Sequence, residues 1–185
     1  MIDFHSHIVY DVDDGSDSIE NSINILKKAQ EAGIKSIILT PHYMEDYYES
    51  NTNQIKEKID ELEEICLKEK IDIDLYQANE IYITNHIIEL LKNKESLSIN
   101  NSRYVLFELP MNNEPQNLLE VVYQLLENGY IPIIAHPERY TFIQENPNKL
   151  LELVEERSTI SNKLWKYYRT IWKRSTKNSK IINRK

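Results

Sequence analysis

Short apolar segments alternate with longer amphipathic ones along most of this 185-residue chain, which limits the folds it can adopt. The apolar segments are β-rich and predict strands at Ile2–His7, Lys35–Thr40, Ile71–Ile83, Tyr104–Leu109 and Ile131–Ala135. Apolar residues at helical spacing predict helices at Ser16–Gly33, Asn53–Lys70, Asn85–Lys92, Pro115–Gly129 and Pro147–Glu156. In the first helix, Ser16 or Asp17 is the expected N-cap and Gly33 the terminator. This alternation indicates βα units, and therefore an α/β barrel or a doubly wound sheet.

Side chains that can bind metal ions follow the predicted strands. In both architectures the chemistry lies at the carboxyl ends of the strands. Six candidates lie at or just past such ends, namely His5, His7, His42, Glu80, Glu108 and His136. His5 and His7 are two residues apart on one strand, so both side chains point to the same face and can bind one ion together.

Each motif also has a purely structural interpretation. Asp13-Asp14-Gly15 is a common turn sequence, and Thr40-Pro41-His42 can be a simple loop. Glu80 and Glu108 can be solvated carboxylates at strand ends, and His86, which lacks a partner motif, is read as a surface residue. If each motif had only a structural role, all of them would have to meet at one end of the sheet by accident. A metal-dependent hydrolase is therefore the favoured hypothesis.

The types of candidate ligand restrict the metal and the chemistry. Imidazoles and carboxylates without thiolates suit Mn²⁺, Fe²⁺ or Zn²⁺. Cys66 is the only cysteine, which excludes internal disulfides, and it lacks the following arginine of the cysteine-based phosphatase loop. Two ions about 3.5–4 Å apart can neutralise a phosphoryl group, and Arg139, just past His136, can bind phosphate oxygens with two hydrogen bonds. These features favour phosphoester hydrolysis.

The motifs resemble those of the polymerase and histidinol phosphatase (PHP) superfamily. Within it, they are similar to the manganese-dependent protein tyrosine phosphatases of bacterial capsular polysaccharide operons. The resemblance covers residues 1–156 in order and at family-like spacing. It is carried by Ile2-Asp3-Phe4-His5-Ser6-His7, Asp13-Asp14-Gly15-Ser16, Gly33-Ile34-Lys35 through Thr40-Pro41-His42, Glu80-Ile81-Tyr82, Tyr104 through Glu108-Leu109-Pro110 and Ala135-His136-Pro137-Glu138-Arg139-Tyr140.

The resemblance implies a fold, a cofactor and a substrate. The fold would be a PHP-type distorted (β/α)7 barrel, and the cofactor a cluster of up to three Mn²⁺ ions. The substrate would be phosphotyrosine on a partner protein, a tyrosine kinase of the polysaccharide export machinery. Its dephosphorylation would regulate capsule and exopolysaccharide biosynthesis.

The resemblance also implies the ligands of the first two ions. His5, His7 and Glu80 would bind one ion. Glu80 would bridge to a second ion, which Glu108 and His136 would hold. Fewer than three ions are expected here, because a family segment that completes two ion sites has no counterpart in this chain.

A third ion and the phosphate complete the implied site. Asp14 and His42 would serve the third ion. Arg139 would clamp the phosphate while a hydroxide held by the ions attacks it. The resemblance therefore puts Arg139, His136 and Asp14 in the catalytic centre.

The loops around the implied site differ locally from the family. The family usually has Pro-Gly where this chain has Tyr10-Asp11, and a small residue where it has Asn79. Tyrosines near the predicted site loops either line a phosphotyrosine pocket or act as packing caps, and packing is the commoner role. They are Tyr43, Tyr47, Tyr48 and Tyr140.

Residues 157–185 differ in composition from the rest of the chain. They contain ten Lys and Arg, both Trp and no Asp or Glu, whereas residues 1–156 contain twelve Lys and Arg against thirty Asp and Glu. The sequence therefore predicts a phosphatase domain at 1–156 and a basic tail at 157–185. A family segment resembling Ser-Asp-Ala-His, which completes two ion sites, has no counterpart here. We expect a barrel incomplete at the C-terminus, with weak or no activity.

Two explanations of the basic tail remain open. When AT-rich codons are assigned to the residues after Glu156, a shift of one base yields a peptide that reads as a strand, a Gly-rich turn and a helix start. On this explanation, the tail is a frameshift product. Alternatively, the tail is a functional basic arm that binds anionic lipid or nucleic acid.

Other features narrow the location and the partners. No apolar run approaches the ~20 residues that span a bilayer, and no basic segment precedes an apolar one at the N-terminus, so a cytoplasmic protein without membrane insertion is expected. The acidic main body predicts no nucleic acid partner. Two alternative functions stay open: a PHP-type phosphatase acting on a small molecule similar to histidinol phosphate, and a non-catalytic remnant that binds phosphopeptide.

Overall fold

The computed structural model describes residues 1–150. Strands β1 to β7 are, in order, Ile2–Ser6, Ser36–Leu39, His42–Tyr43, Asp74–Gln77, Glu80–Tyr82, Tyr104–Glu108 and Ile131–Ile134. Helices α1 to α5 are Ile19–Glu31, Thr52–Glu69, Ile87–Asn93, Leu118–Glu127 and Thr141–Glu145. One-turn 3-10 helices occupy Ile99–Asn101 and Pro137–Arg139. The alternation of strands and helices confirms the predicted α/β fold.

Every strand pair is parallel, in two sheets with the orders β1-β2-β4 and β3-β5-β6-β7. Hydrogen bonds continue the ladder from one sheet into the other. The N–H of Ala78 donates to the carbonyl of Leu39 at 2.9 Å, and the N–H of Glu80 donates to the carbonyl of Pro41 at 3.0 Å. Neighbouring strands therefore follow the order of the chain, with a short gap after β2 and another after β4.

The gap between β4 and β5 is closed by the buried side chain of Asn79. Its amide nitrogen donates to the carbonyl of Pro41 at 3.1 Å, and its amide oxygen accepts from the N–H of Leu97 at 2.9 Å. Its backbone N–H donates to the carbonyl of Leu97 at 3.1 Å. Asn79 thus fixes the backbone immediately before Glu80, which a small apolar residue at this position could not do through its side chain.

Apolar side chains are buried on both faces of the first sheet. One face packs against helices α1 and α2 through a cluster that includes Ile23, Leu26, Ile37, Leu39, Ile55, Leu62 and Leu75. The other face contributes to a second cluster of Ile38, Ala78, Ile99, Leu106 and Ala135. Ile37 and Ile38 are consecutive in β2, so they point to opposite faces, and both are buried. Burial on both faces is typical of parallel sheets.

Helix α1 begins later than the sequence predicts. Ser18 is the N-cap, because its hydroxyl accepts a backbone N–H in the first turn, and the prediction of Ser16 or Asp17 was wrong. Ser16 instead donates its N–H to the carbonyl of His7 at 3.0 Å and its hydroxyl to the carbonyl of Ser18 at 3.0 Å. Ser16 therefore holds the turn against the end of β1. Gly33 follows the helix with a φ of 81°, as expected of a terminator.

Some elements lie outside what the sequence predicted. The two-residue strand β3, the 3-10 helices and α5 were not predicted. Met1–Tyr140 form one compact unit, whereas α5 belongs to a second one. The predicted helix at Pro147–Glu156 runs past residue 150, so its end, the boundary at 156 and the tail at 157–185 lie outside the described residues. Within residues 1–150, no helix has the length and apolar character needed to cross a bilayer.

Candidate metal centre

The buried carboxylate of Glu80, the first residue of β5, faces four imidazoles. Its Oε1 lies 2.8 Å from Nε2 of His136 and 3.4 Å from Nε2 of His5. Its Oε2 lies 3.2 Å from Nε2 of His7 and 3.2 Å from Nδ1 of His42. The histidines lie on β1, just after β1, at the start of β3 and just after β7, so the parallel strands bring them together at one end.

Glu108 supplies a second acid from the last residue of β6. Its Oε1 lies 3.0 Å from Nδ1 of His42, and its Oε2 lies 3.8 Å from Nε2 of His136. Both histidines also contact Glu80. His42 and His136 therefore each lie between two carboxylates.

Asp14 lies in the loop after β1 and is the most exposed acid of the cluster, with 68% of its side chain accessible. Its Oδ1 lies 3.5 Å from Nε2 of His42, so His42 presents both ring nitrogens to acids. Three sets of ligand atoms lie within 4.8 Å of one another: His5, His7 and Glu80; His7, Asp14 and His42; and His42, Glu80 and Glu108. All seven predicted metal ligands therefore lie in one cluster, with His136 contacting both glutamates.

Several buried atoms of the cluster have no hydrogen-bond partner. They are both carboxylate oxygens of Glu80, Nδ1 of His42 and Nδ1 of His136. The imidazole nitrogens converge on Glu80 without the alignment of a hydrogen bond. A buried carboxylate left in this way is costly, and a divalent cation bound by imidazole and carboxylate together removes the cost. The residues present therefore fit a site for divalent cations.

Glu80 keeps its negative charge in spite of burial. Burial alone would raise the pKa of Glu80, but the adjacent imidazoles outweigh it and hold the pKa far below its ordinary value. Burial would lower the pKa of His7, but Asp13 and Glu80 outweigh it and raise the pKa to about 10. The pKa of His42 is likewise raised against burial, chiefly by Glu108. The cluster is therefore a strong binder of positive charge.

Two imidazoles also make contacts on the side away from Glu80. Nδ1 of His5 lies 2.6 Å from Oγ1 of Thr40. Nδ1 of His7 lies 2.7 Å from Oδ2 of Asp13. No role was predicted for Thr40 or Asp13 from the sequence. The one available signal was that each lies inside a motif that also supplies a predicted ligand.

The predicted phosphate clamp, Arg139, lies in the 3-10 helix that follows β7 and is exposed. Its backbone N–H donates to the carbonyl of His136 at 3.0 Å. Within residues 1–150, no hydrogen bond or ion pair joins its side chain to the ligand cluster. His86 is exposed, as predicted, and its Nδ1 lies 3.3 Å from Oε1 of Glu45.

Two of the loop tyrosines contact the cluster region in different ways. The ring of Tyr48 stacks on His42, with centroids 5.7 Å apart. Tyr140 is buried, and its hydroxyl donates to the carbonyl of Ala135 and accepts from the N–H of Leu109, both at 3.0 Å. Tyr140 therefore has the packing role, linking the ends of β6 and β7.

The loop between β1 and α1, which carries the acidic motif, is tied to helix α2. Nζ of Lys58 donates to the carbonyls of Tyr10 at 2.9 Å and Asp11 at 3.2 Å. The hydroxyl of Tyr10 donates to the carboxylate of Glu61. Asp11 has a φ of 54°, in the left-handed region that favours glycine. The backbone thus has the conformation that the Pro-Gly of the resemblance would favour, although this chain has Tyr-Asp there.

Comparison with known proteins identifies relatives over most of the chain. Residues 1–162 match the family described as capsular polysaccharide synthesis, CpsB/CapC. CapC of Staphylococcus aureus is 44% identical over 154 residues, which are 83% of this chain and 60% of CapC. The tyrosine-protein phosphatase YwqE of Bacillus subtilis (strain 168) is 37% identical over 84% of this chain and 61% of YwqE. The tyrosine-protein phosphatase CpsB of Streptococcus pneumoniae is 35% identical over 84% of this chain and 64% of CpsB.

A solved structure gives the same assignment. It belongs to work on YwqE of Bacillus subtilis and CpsB of Streptococcus pneumoniae, described there as unique metal-dependent tyrosine phosphatases. It matches with a TM-score of 0.80 and 37% identity over 84% of this chain and 63% of that one. The chain thus spans less than two thirds of the length of these relatives. Since the family match extends over residues 1–162, the chain belongs to the CpsB/CapC family of capsular polysaccharide synthesis.

Proposed function

We propose that this chain carries the site of a metal-dependent phosphoester hydrolase whose substrate is phosphotyrosine in a protein. The observation that carries the proposal is the buried Glu80 carboxylate, which faces four imidazoles and has no aligned hydrogen bond. Such a group is suited to bridging cations. The relatives named tyrosine-protein phosphatases, YwqE and CpsB, support the choice of substrate.

The ligands divide among neighbouring ion positions. His5, His7 and Glu80 would hold one ion, while Glu80 also reaches a second position beside Glu108 and His136. Mn²⁺ is the proposed metal, because imidazole and carboxylate donors suit it and the PHP resemblance implies it. Bound ions would supply charge neutralisation of the phosphate and an acidified water as nucleophile.

The third position is the one closest to solvent. His42 and Asp14 would serve it, and the exposure of Asp14 means that a substrate arriving from solvent meets this ligand first. His42 is shared with Glu108, so this position is coupled to the buried ones.

Arg139 is the proposed phosphate clamp. Its planar guanidinium can donate two parallel hydrogen bonds to phosphate oxygens, which an ammonium group cannot. It follows His136 by three residues, and its side chain is exposed to solvent. Arg139, His136 and Asp14 are therefore the proposed catalytic centre around the phosphate.

We propose a PHP-type distorted (β/α)7 barrel as the architecture. The order of parallel neighbours follows the chain, as in α/β barrels and unlike doubly wound sheets, where the order reverses at a switch point. Residues 1–156 would be the barrel domain. The acid-free composition of residues 157–185 supports their being a separate tail.

The proposed partner is a tyrosine kinase of polysaccharide export, whose dephosphorylation would regulate capsule synthesis. The capsular polysaccharide family match supports this setting. Nucleic acid is not a proposed partner, since residues 1–156 carry a large excess of acidic residues that would repel its phosphates. A phosphorylated substrate is acceptable because the cations and Arg139 reverse the charge locally.

A hydrolysis assay separates this proposal from its alternatives. The 185-residue chain with Mn²⁺ is given p-nitrophenyl phosphate, a phosphotyrosyl peptide and histidinol phosphate. We expect release of phosphate from the first two, abolished by Glu80→Gln and retained in Glu69→Gln, which changes an exposed glutamate paired with Lys27. Preference for histidinol phosphate would favour the small-molecule phosphatase. Phosphopeptide binding without phosphate release would favour the non-catalytic alternative.

A further inference from the structure

The two histidines at the end of β1 are each held on the ring edge that faces away from Glu80. For His5 the contact is with Thr40, which is fully buried, and for His7 it is with Asp13, whose side chain has no exposed area. A neutral imidazole has one N–H and one lone pair, and the group that contacts Nδ1 decides which nitrogen has which. The identity of these contacts therefore determines what Nε2 presents to the cluster.

The hydrogen bonds of Thr40 determine the tautomer of His5. The Thr40 hydroxyl donates its single proton to the carbonyl of Ser6 at 3.2 Å and accepts the N–H of Ser6 at 3.0 Å. With its proton used in this way, Oγ1 accepts from Nδ1 of His5 at 2.6 Å, and the carbonyl of Ser6 also accepts the backbone N–H of Thr40 at 2.8 Å. This arrangement satisfies all three contacts at once. It leaves the lone pair of His5 on Nε2, which lies 3.4 Å from Glu80.

The carboxylate of Asp13 acts in the same way on His7. It accepts from Nδ1 of His7 at 2.7 Å, from the N–H of His42 at 2.9 Å and from the N–H of Gly15 at 3.0 Å. A carboxylate that accepts three hydrogen bonds remains ionised and offers no proton. His7 must therefore donate from Nδ1, and its Nε2 lies 3.2 Å from Glu80.

Gly15 allows Asp13 to reach His7. A Cβ at position 15 would lie 2.4 Å from both the Cβ and the carbonyl oxygen of His7, far inside van der Waals contact. Only glycine lets the loop lie so close to the end of β1. The carboxylate of Asp13 is thus held by backbone N–H groups on both sides, and its position does not depend on contacts with flexible side chains.

We propose that Thr40 and Asp13 are positioning residues that keep the Nδ1–H of His5 and His7 directed away from Glu80, so that each Nε2 can bind a divalent cation once it carries no proton. The inference rests on the proposed function, because the cation is the one proposed above. Partners of this kind typically contribute about 10- to 100-fold to metal affinity or activity. Neither residue belongs to the sets of candidate ligand atoms.

Nitrogen NMR of the full chain tests the tautomers without any metal. With ¹⁵N-labelled histidine, excess chelator and mildly alkaline pH, we expect His5 as the Nδ1–H tautomer in the wild type and in Thr40→Ser. Thr40→Val keeps the shape but removes the hydroxyl, so we expect the Nε2–H tautomer to appear. Thr52→Val, which removes a hydroxyl bonded to the carbonyl of Lys94, is the matched control and should match the wild type.

Mn²⁺ affinity, measured from the electron spin resonance of free Mn²⁺, tests the consequence. We expect Thr40→Val and Asp13→Asn to bind about 10- to 100-fold more weakly than wild type, with Thr40→Ser close to wild type. The inference would be overturned if His5 of the wild type were the Nε2–H tautomer, or if Thr40→Val and Asp13→Asn both bound Mn²⁺ as tightly as the wild type. Failure of the wild type to bind Mn²⁺ contradicts the proposed function instead, and the response of the His5 tautomer to Thr40→Val then decides the inference.

Discussion

Nε2 of His136 lies 2.8 Å from Oε1 of Glu80, the shortest of the four imidazole contacts around that carboxylate. His136 has a φ of 27° and a ψ of 55°, an uncommon conformation for a residue with a side chain. Unusual backbone geometry of this kind persists when the surrounding structure imposes it. The buried hydrogen bonds of Tyr140 to the ends of β6 and β7 provide that constraint.

Glu80→Gln should remove metal binding. The amide keeps the shape of the side chain but leaves four imidazoles without their shared anion, so we expect Mn²⁺ affinity to fall by more than about 100-fold. Ions per chain, counted by elemental analysis after gel filtration, measure the effect. The exposed change Glu69→Gln should leave the count unchanged. An unaltered metal count in Glu80→Gln would be incompatible with a central role for this residue.

Arg139→Lys should lower kcat/KM for p-nitrophenyl phosphate by about 10- to 100-fold, since it replaces a two-bond contact with phosphate by a point charge. Arg103 lies just before β6, at the opposite end of that strand from Glu108, and Arg103→Lys is the control. Steady-state kinetics with Mn²⁺ compares the variants. Equal kcat/KM values for the wild type and Arg139→Lys would remove Arg139 from the proposed centre.

Stability in the presence of a chelator should fall as the pH rises above neutral. The pKa of His7 is raised from 6.5 to about 10, so its stabilising contribution is complete below pH 6.5 and is lost as the pH rises through 10. Urea unfolding at several pH values in that window measures the free energy of unfolding. His7→Gln should flatten the profile, and a wild-type profile that rises over the same window would contradict the assignment. Mn²⁺ affinity should change in the opposite direction, because the metal competes with the proton.

Lys58→Met should loosen the loop that carries Asp13 and Asp14. The substitution keeps much of the apolar stem but removes two hydrogen bonds to loop carbonyls, at a cost of about 1–3 kcal/mol in the free energy of unfolding. Lys56→Met, on the exposed face of α2, is the control. We also expect weaker Mn²⁺ binding in Lys58→Met, measured by the same resonance method. Wild-type stability and affinity in this variant would show that the lysine does not hold the loop.

The sequence predicted that the candidate ligands would lie close together, because their proximity depends on one general property of parallel sheets. Strands in βα units run in one direction, so residues at their carboxyl ends must meet at one edge. The proximity of His5 and Glu108, which are far apart in sequence, could be predicted from their places at strand ends alone. The α/β class followed from the same alternation.

The roles of adjacent residues could not be predicted, because they depend on contacts between distant segments. Asp13 and Asp14 are equivalent by type, yet Asp13 is buried against His7 whereas Asp14 is largely exposed. The N-cap of α1 was misplaced for a similar reason, since Ser16 is engaged by the carbonyl of His7. The function of Asn79 required knowledge of Leu97, which lies in a separate loop.

The close approach of Gly15 to His7 has a consequence for how this protein can vary. Any L-residue at position 15 would have to displace the end of β1, and the imidazole of His7 would move with it. Mutational tolerance at this position is therefore limited by the precise placement of the His7 imidazole in the cluster, and the limit holds even for substitutions that leave the folded domain stable. Gly15 has no functional group of its own, yet it determines whether the imidazole of His7 keeps its position among the neighbouring side chains.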